Sequence, residues 1–218
     1  MNKVELNNNE STAALPSYSS GLFLLFLGLA LAIWFTHSNQ TLFILINSYH
    51  ALMPDTLWNF FNLISYSRFL ILPLLLVLLS YWKRREQLLT VIVIILAYFA
   101  VFSILKSAVG EARPYVVLPE NSFFWLNHFE DAAKSAHKSF PSGHTGNMAI
   151  FVFTLNCLFF AHKKGYQFLM LLLLIATALT RVISGWHWPV DVIASGLIAY
   201  LLVKICFAIN FTNRFLKN

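Results

Sequence analysis

The chain has 218 residues, of which 58% are hydrophobic and 11% charged, with 15 Lys and Arg against 9 Asp and Glu for a formal charge of +6. A soluble domain carries about 25% charged residues, so this chain lacks the polar surface that a water-soluble fold needs, and its 21 Phe exclude a disordered one. An integral membrane protein remains, one whose apolar residues face lipid.

Residues 1–17, rich in Asn, Ser and Glu, predict a disordered leader on the cytoplasmic side. Stretches of about 20 apolar residues cross a hydrocarbon core, and six follow, at 18–36, 64–82, 88–105, 145–161, 168–183 and 189–209. Each is predicted to be helical, because backbone polar groups in lipid must bond within their own segment. None shows the short apolar/polar alternation of a barrel strand. The first stretch lacks the nearby basic flank and cleavage site of a signal peptide and reads as a retained span. The predicted fold is all-α, a polytopic bundle of about six transmembrane helices over residues 18–210, followed by a cytoplasmic tail at 211–218. Cys157 and Cys206 both lie inside apolar runs, which predicts neither a disulfide framework nor a zinc site.

Basic residues set the orientation. Lys83, Arg84 and Arg85 link the second and third spans, Lys163 and Lys164 the fourth and fifth, and Arg214 and Lys217 lie in the tail. With six spans these regions share one side, predicted to be cytoplasmic. Residues 37–63, 106–144 and 184–188 then face outward. On this topology the inner side holds nine cations against three anions and the outer side six against six, so the whole excess of +6 is an orientation signal. No run of five basic residues suggests nucleic acid.

Ionisable residues at span ends are costly and usually functional, and three clusters stand at outer ends. The first, KSAVGEARP at 106–114, places Lys106 and Arg113 seven residues apart beyond the third span; taken alone it reads as a snorkelling lysine and a loop arginine. In the second, Pro141, Ser142, Gly143 and His144 open the fourth span. Ser142 suits an N-cap, and a helix N-terminus with an adjacent glycine suits an oxyanion, although the tetrapeptide alone is also a plain turn. The third, TRVISGWHWPVD at 180–191, sets Arg181, His187 and Asp191 around the start of the sixth span. Four residues of separation let the Asp191 carboxylate reach one His187 nitrogen and strengthen the other as a nucleophile. Alone, it also fits an interfacial histidine between two belt tryptophans. Together the clusters bring three cations, two histidines and a carboxylate to one face, an inventory that matches phosphoryl transfer.

In these residues the chain resembles the type 2 phosphatidic acid phosphatases of the vanadium haloperoxidase-like superfamily. The family's signature is K-x6-R-P, P-S-G-H and S-R-x5-H-x3-D in that order. Lys106, Arg113 and Pro114 match the first, Pro141 to His144 the second, and Arg181, His187 and Asp191 the third, with Thr180 in place of the usual Ser. The resemblance implies an enzyme that needs neither metal nor cofactor. His187 would attack phosphorus to form a phosphohistidine, Asp191 would orient it, and His144 would protonate the leaving oxygen. Lys106, Arg113, Arg181, Ser142 and the Gly143 N–H would hold the phosphate oxygens.

Within the family the chain looks most like bacterial phosphatidylglycerophosphatase B and the undecaprenyl-pyrophosphate phosphatases. This implies a bacterial inner-membrane enzyme acting on a lipid phosphate or pyrophosphate (undecaprenyl pyrophosphate, phosphatidylglycerophosphate or phosphatidate) at the outer face. Lipid A phosphatases share the motifs. A lipid-phosphate transporter is the rival of another class, and a metallohydrolase using His144, His187 and Asp191 ranks below it for want of an HExxH pattern. In the 115–139 loop, expected to select the headgroup, Phe123, Phe124 and Trp125 read as interface anchors and His128 and His137 as ordinary loop residues. Arg68 reads as snorkelling, with Asp55 or a headgroup as an alternative partner.

Overall fold

The computed structural model describes residues 18–52, 54–66, 70–126 and 132–209. The leader, the tail, Arg68 and His128 lie outside the described residues. Those described form helices and turns with no strand. In chain order they are α1 (Tyr18–Phe35), α2 (Asn39–Asn47), α3 (Asp55–Ile64), α4 (Ile71–Lys83), α5 (Leu88–Val109), α6 (Pro114–Val117), α7 (Ala132–Ser135), α8 (Gly143–Phe159), α9 (Lys164–Ile183) and α10 (Pro189–Ile209).

The six predicted spans correspond to α1, α4, α5, α8, α9 and α10. Among the described residues three stretches are long and apolar enough to cross a membrane, Arg85–Val117 around α5, Lys164–Ile183 and Pro189–Ile209. A fourth is the pair Phe23–Phe35 and Asn39–Leu52, bent by 110°. The second span, expected from residue 64, starts as helix only at Ile71, and its 13 residues rise about 20 Å at 1.5 Å each. α8 has 17 residues, and its apolar character is diluted by His144, Asn147 and Asn156, all buried.

Those polar residues are tolerated because α8 is the central helix, buried nearly all round and packed against α4, α5, α9 and α10. Met148, Val152 and Leu155 of α8 meet Ile94 and Tyr98 of α5 and Ala199 and Val203 of α10 in one apolar core. Gly146 permits the closest approach, since a Cβ there would run into the Phe102 ring of α5. α1 leans on α10, where Phe23 stacks on Tyr200 with centroids 5.1 Å apart. Outward, Leu24, Trp34, Leu74, Leu78, Trp82, Leu96, Ile104, Leu169 and Ile205 are exposed. This apolar exterior has lipid as its natural solvent, and the chain is an all-α, multi-pass membrane protein.

Arg84 Nε donates to the Leu158 carbonyl at 3.2 Å, tying the α4–α5 link to the end of α8 that runs on to Lys163 and Lys164. The two basic links therefore share one end of the bundle. The C-termini of α5 and α9 and the N-termini of α8 and α10 meet at the other.

Candidate active site

α10 begins with Pro189, whose fixed φ and missing N–H suit a first helical turn. This puts Asp191 in that turn, fully buried, with Trp188 N donating to Asp191 Oδ2 at 3.0 Å. The same oxygen accepts Ser139 Oγ at 2.6 Å and lies 3.3 Å from His187 Nδ1. On the far side of the imidazole, Arg113 Nη1 is 3.4 Å from Nε2. An arginine can only donate, so this arrangement assigns the proton to Nδ1, facing Asp191, and leaves the Nε2 lone pair toward the cation.

His187 is 1% exposed. Burial, and then the charges of Arg113, Arg181, Lys106 and His144, hold its imidazole well below the ordinary histidine titration range. A neutral imidazole oriented by a carboxylate has the attributes of a nucleophile.

The partners of the cations include backbone carbonyls, the Asn62 amide oxygen and the Trp186 ring. Arg113 donates through Nε to Ser135 O at 2.9 Å and through Nη1 to Trp186 O at 3.0 Å, and its guanidinium lies 5.0 Å from the Trp186 ring. Arg181, 2% exposed, donates through Nη1 to Asn62 Oδ1 at 2.7 Å, and its guanidinium lies 5.7 Å from the centroid of the same Trp186 ring. Lys106, half-buried at the end of α5, donates to Lys138 O at 3.0 Å.

Ser142 caps α8, accepting from Thr145 N at 3.4 Å and Thr145 Oγ1 at 3.1 Å. Gly143 opens the helix, where backbone N–H groups have no intrahelical acceptor, and its carbonyl accepts Tyr98 OH at 2.8 Å. His144 is buried, with its ring 5.2 Å from that of Tyr66. All eight sequence-derived candidates, Lys106, Arg113, Ser142, Gly143, His144, Arg181, His187 and Asp191, thus stand at one end of the bundle. The arrangement can receive an anion between a helix N-terminus and three cations, beside one nucleophilic and one further imidazole. Among the described residues, no three His, Cys, Asp or Glu side chains are grouped to hold a metal ion.

Other expectations change. Trp186 and Trp188 are 2% and 6% exposed and donate to Leu126 O and Ala112 O, both at 2.8 Å. They brace the site and are not a lipid belt. Phe124 stacks on His50 at 4.4 Å, Trp125 on Tyr115 at 4.6 Å, and Phe123 meets Phe43 edge-on at 5.6 Å. These rings pack inside the fold in place of the expected interface anchoring, and Asn47 fastens the strip by accepting Phe124 N and donating to Phe124 O and Ile183 O. The Thr180 hydroxyl bonds back to Ala176 O on its own helix. Sequence reasoning passed over Asn62, Tyr66 and Ser139. Ser139 stands two residues before Pro141 and was within reach of inspection, whereas Asn62 and Tyr66 lie in a stretch without a motif.

Residues 87–215 match the PAP2 superfamily. The chain is 33% identical over 140 residues to the bacitracin transport permease protein BcrC of Bacillus licheniformis, covering 62% of this chain and 63% of that one. It is 34% identical over 172 residues to the putative undecaprenyl-diphosphatase YbjG of Escherichia coli (strain K12), covering 75% and 78%. The chain therefore spans less than two thirds of the first relative's length. The fold is similar to the crystal structure of the first transmembrane PAP2 type phosphatidylglycerolphosphate phosphatase from Bacillus subtilis, with a TM-score of 0.63, 23% identity, and 90% of this chain and 96% of that one covered.

Proposed function

The chain belongs to the PAP2 superfamily, and from that premise we propose that it is an integral-membrane phosphatase that hydrolyses a lipid phosphate or pyrophosphate. Undecaprenyl pyrophosphate is the substrate to test first, given the undecaprenyl-diphosphatase name of a relative. The observation that carries the reading is the buried His187 imidazole, held at Nδ1 by Asp191 with Nε2 turned to Arg113.

Nε2 attacks phosphorus as the bond from phosphorus to the leaving oxygen breaks, and His144 gives that oxygen its proton. Asp191 stabilises the imidazolium character that develops. Lys106, Arg113, Arg181, Ser142 and the Gly143 N–H take the phosphoryl oxygens. Water then attacks the phosphohistidine, its proton passes to His144, and inorganic phosphate leaves with His187 restored. The lipid tail stays in the bilayer throughout. The basic links at the opposite end of the bundle support an active site at the outer face of a bacterial inner membrane.

The test is phosphate release from undecaprenyl pyrophosphate by the purified protein and by His187→Ala. Retention of wild-type release in the variant would sink the mechanism. The permease name of one relative favours a second reading, lipid-phosphate transport. Proteoliposomes separate them: hydrolysis liberates inorganic phosphate, and transport moves intact lipid between leaflets.

A further inference from the structure

Asp191 uses its two oxygens very differently. Oδ2 is met by Ser139 Oγ, Trp188 N and His187 Nδ1. Oδ1 is buried and, among the described residues, receives no N–H or hydroxyl donor. A second carboxyl, that of the half-buried Glu111, interacts with Asp191. Glu111 follows Gly110, whose left-handed φ of 61° ends α5 and turns the chain toward α10. Its carbonyl accepts Ser139 N at 3.0 Å, so one residue, Ser139, bonds the backbone of Glu111 and the side chain of Asp191.

Two ionised carboxylates are both acceptors and repel, and a buried contact between them requires a proton on one. Asp191 already takes three donors on Oδ2, which favours its ionised form. Glu111 is then the member that keeps the proton. We propose that Glu111 is a positioning residue, a neutral acid whose O–H donates to Asp191 and holds that carboxylate, and through it His187, in the attacking orientation.

The proposal rests on the phosphatase reading above for its consequence in turnover, but not for the proton itself. The charged and titratable groups facing the pair are Lys106 from α5 and His187 from the turn before α10. Arg113, Arg181 and His144 act on it through His187. His137 and Lys138, in the segment that carries Ser139, are exposed. As pH rises, loss of the shared proton puts a second negative charge against Asp191 and releases the His187 contact, which gives turnover an alkaline limit.

The experiment compares the full-length protein in detergent with Glu111→Gln and Glu111→Ala. The glutamine retains a donor but nothing to titrate. The infrared spectrum at neutral pH should contain the carbonyl band of a neutral carboxylic acid that both variants lack. In phosphate release, kcat should fall about tenfold or more in Glu111→Ala and distinctly less in Glu111→Gln, with the alkaline limb of the wild type displaced upward in the glutamine variant. Absence of the band from the wild type, or an alkaline limb that the glutamine leaves in place, would overturn the proposal. Failure of the wild type to release phosphate counts against the phosphatase reading alone, since the infrared difference still decides who holds the proton.

Discussion

Asn62, near the end of α3, accepts a 2.7 Å hydrogen bond from Arg181 at the end of α9. The two are separated by 119 residues, and the Asn62 side-chain oxygen helps to aim this buried guanidinium. The neighbouring residues serve the same end, as Ser65 O accepts Asn147 Nδ2 at 3.1 Å and Tyr66 packs on His144. α3, which has no motif, is thus a brace for two motifs.

Asn62→Ala should therefore misplace Arg181 without emptying the site. Hydrogen bonds to charged groups contribute about 1.5–3 kcal/mol, so kcat/KM should drop on the order of 10- to 100-fold. Steady-state phosphate release is the measurement. A variant as fast as wild type would show that Arg181 is aimed by other contacts.

Loss of the nucleophile is more severe. His187→Ala should lower kcat on the order of 10³-fold or more, and His144→Ala, which removes a general acid and base, on the order of 10²- to 10⁴-fold. Quenching wild type in alkaline detergent with labelled substrate should trap protein-bound phosphate that is alkali-stable and released by acid. His187→Ala should trap none.

The three motifs were legible because Lys106, Arg113, His144, Arg181 and His187 stand at the spacings of the family signature, and fixed spacings survive in a linear string. Asn62 was not, because an asparagine acquires meaning only from what folds against it. The belt alternative for Trp186 and Trp188 stayed open for a related reason. Tryptophan is equally at home in an interface and in a packed core, and only the indole partners Leu126 O and Ala112 O decide between them. The late start of α4 had a sequence signal in the polar Ser65, Ser67 and Arg68, which the apolar Phe69 and Leu70 ahead of Ile71 obscured.

The depressed titration of His187 predicts how stability follows pH. In an unfolded chain histidine titrates near 6.5, and the folded value lies lower. Between the two the unfolded state binds the extra proton, so stability rises with pH. The contribution is complete above about 6.5 and is lost as pH falls toward the folded value. The wild-type Tm in detergent should decline on acidification through this window, and His187→Gln should decline less.

Two glycines with positive φ give a controlled comparison. Gly185 has φ 79° and a Cβ there would lie 2.8 Å from Phe124 O, whereas Gly110 has φ 61° and open space around it. Gly110→Ala should cost about 1–2 kcal/mol, from the left-handed backbone alone. Gly185→Ala adds displacement of the turn that carries His187, and should lower both Tm and activity further. Equal effects in the two variants would mean that the turn yields.

Sidedness is open to labelling, because the native Cys157 and Cys206 are 3% and 5% exposed and give little background. In intact cells a membrane-impermeant maleimide should modify Lys138→Cys and leave Lys83→Cys untouched until the membrane is opened. The reverse pattern would invert the proposed topology.

The threefold grip on Asp191 Oδ2 joins Ser139, ahead of α8, to His187 and Trp188, ahead of α10. During synthesis Lys106, Arg113 and His144 emerge well before Asp191, whereas Arg181 precedes it by only ten residues and His187 by four. Until α10 enters the bilayer, His187 lacks its carboxylate, and a half-inserted chain holds an anion pocket without a working nucleophile. On the proposed mechanism, assembly of the last helix is thus the event that arms the protein, and hydrolysis awaits completed insertion.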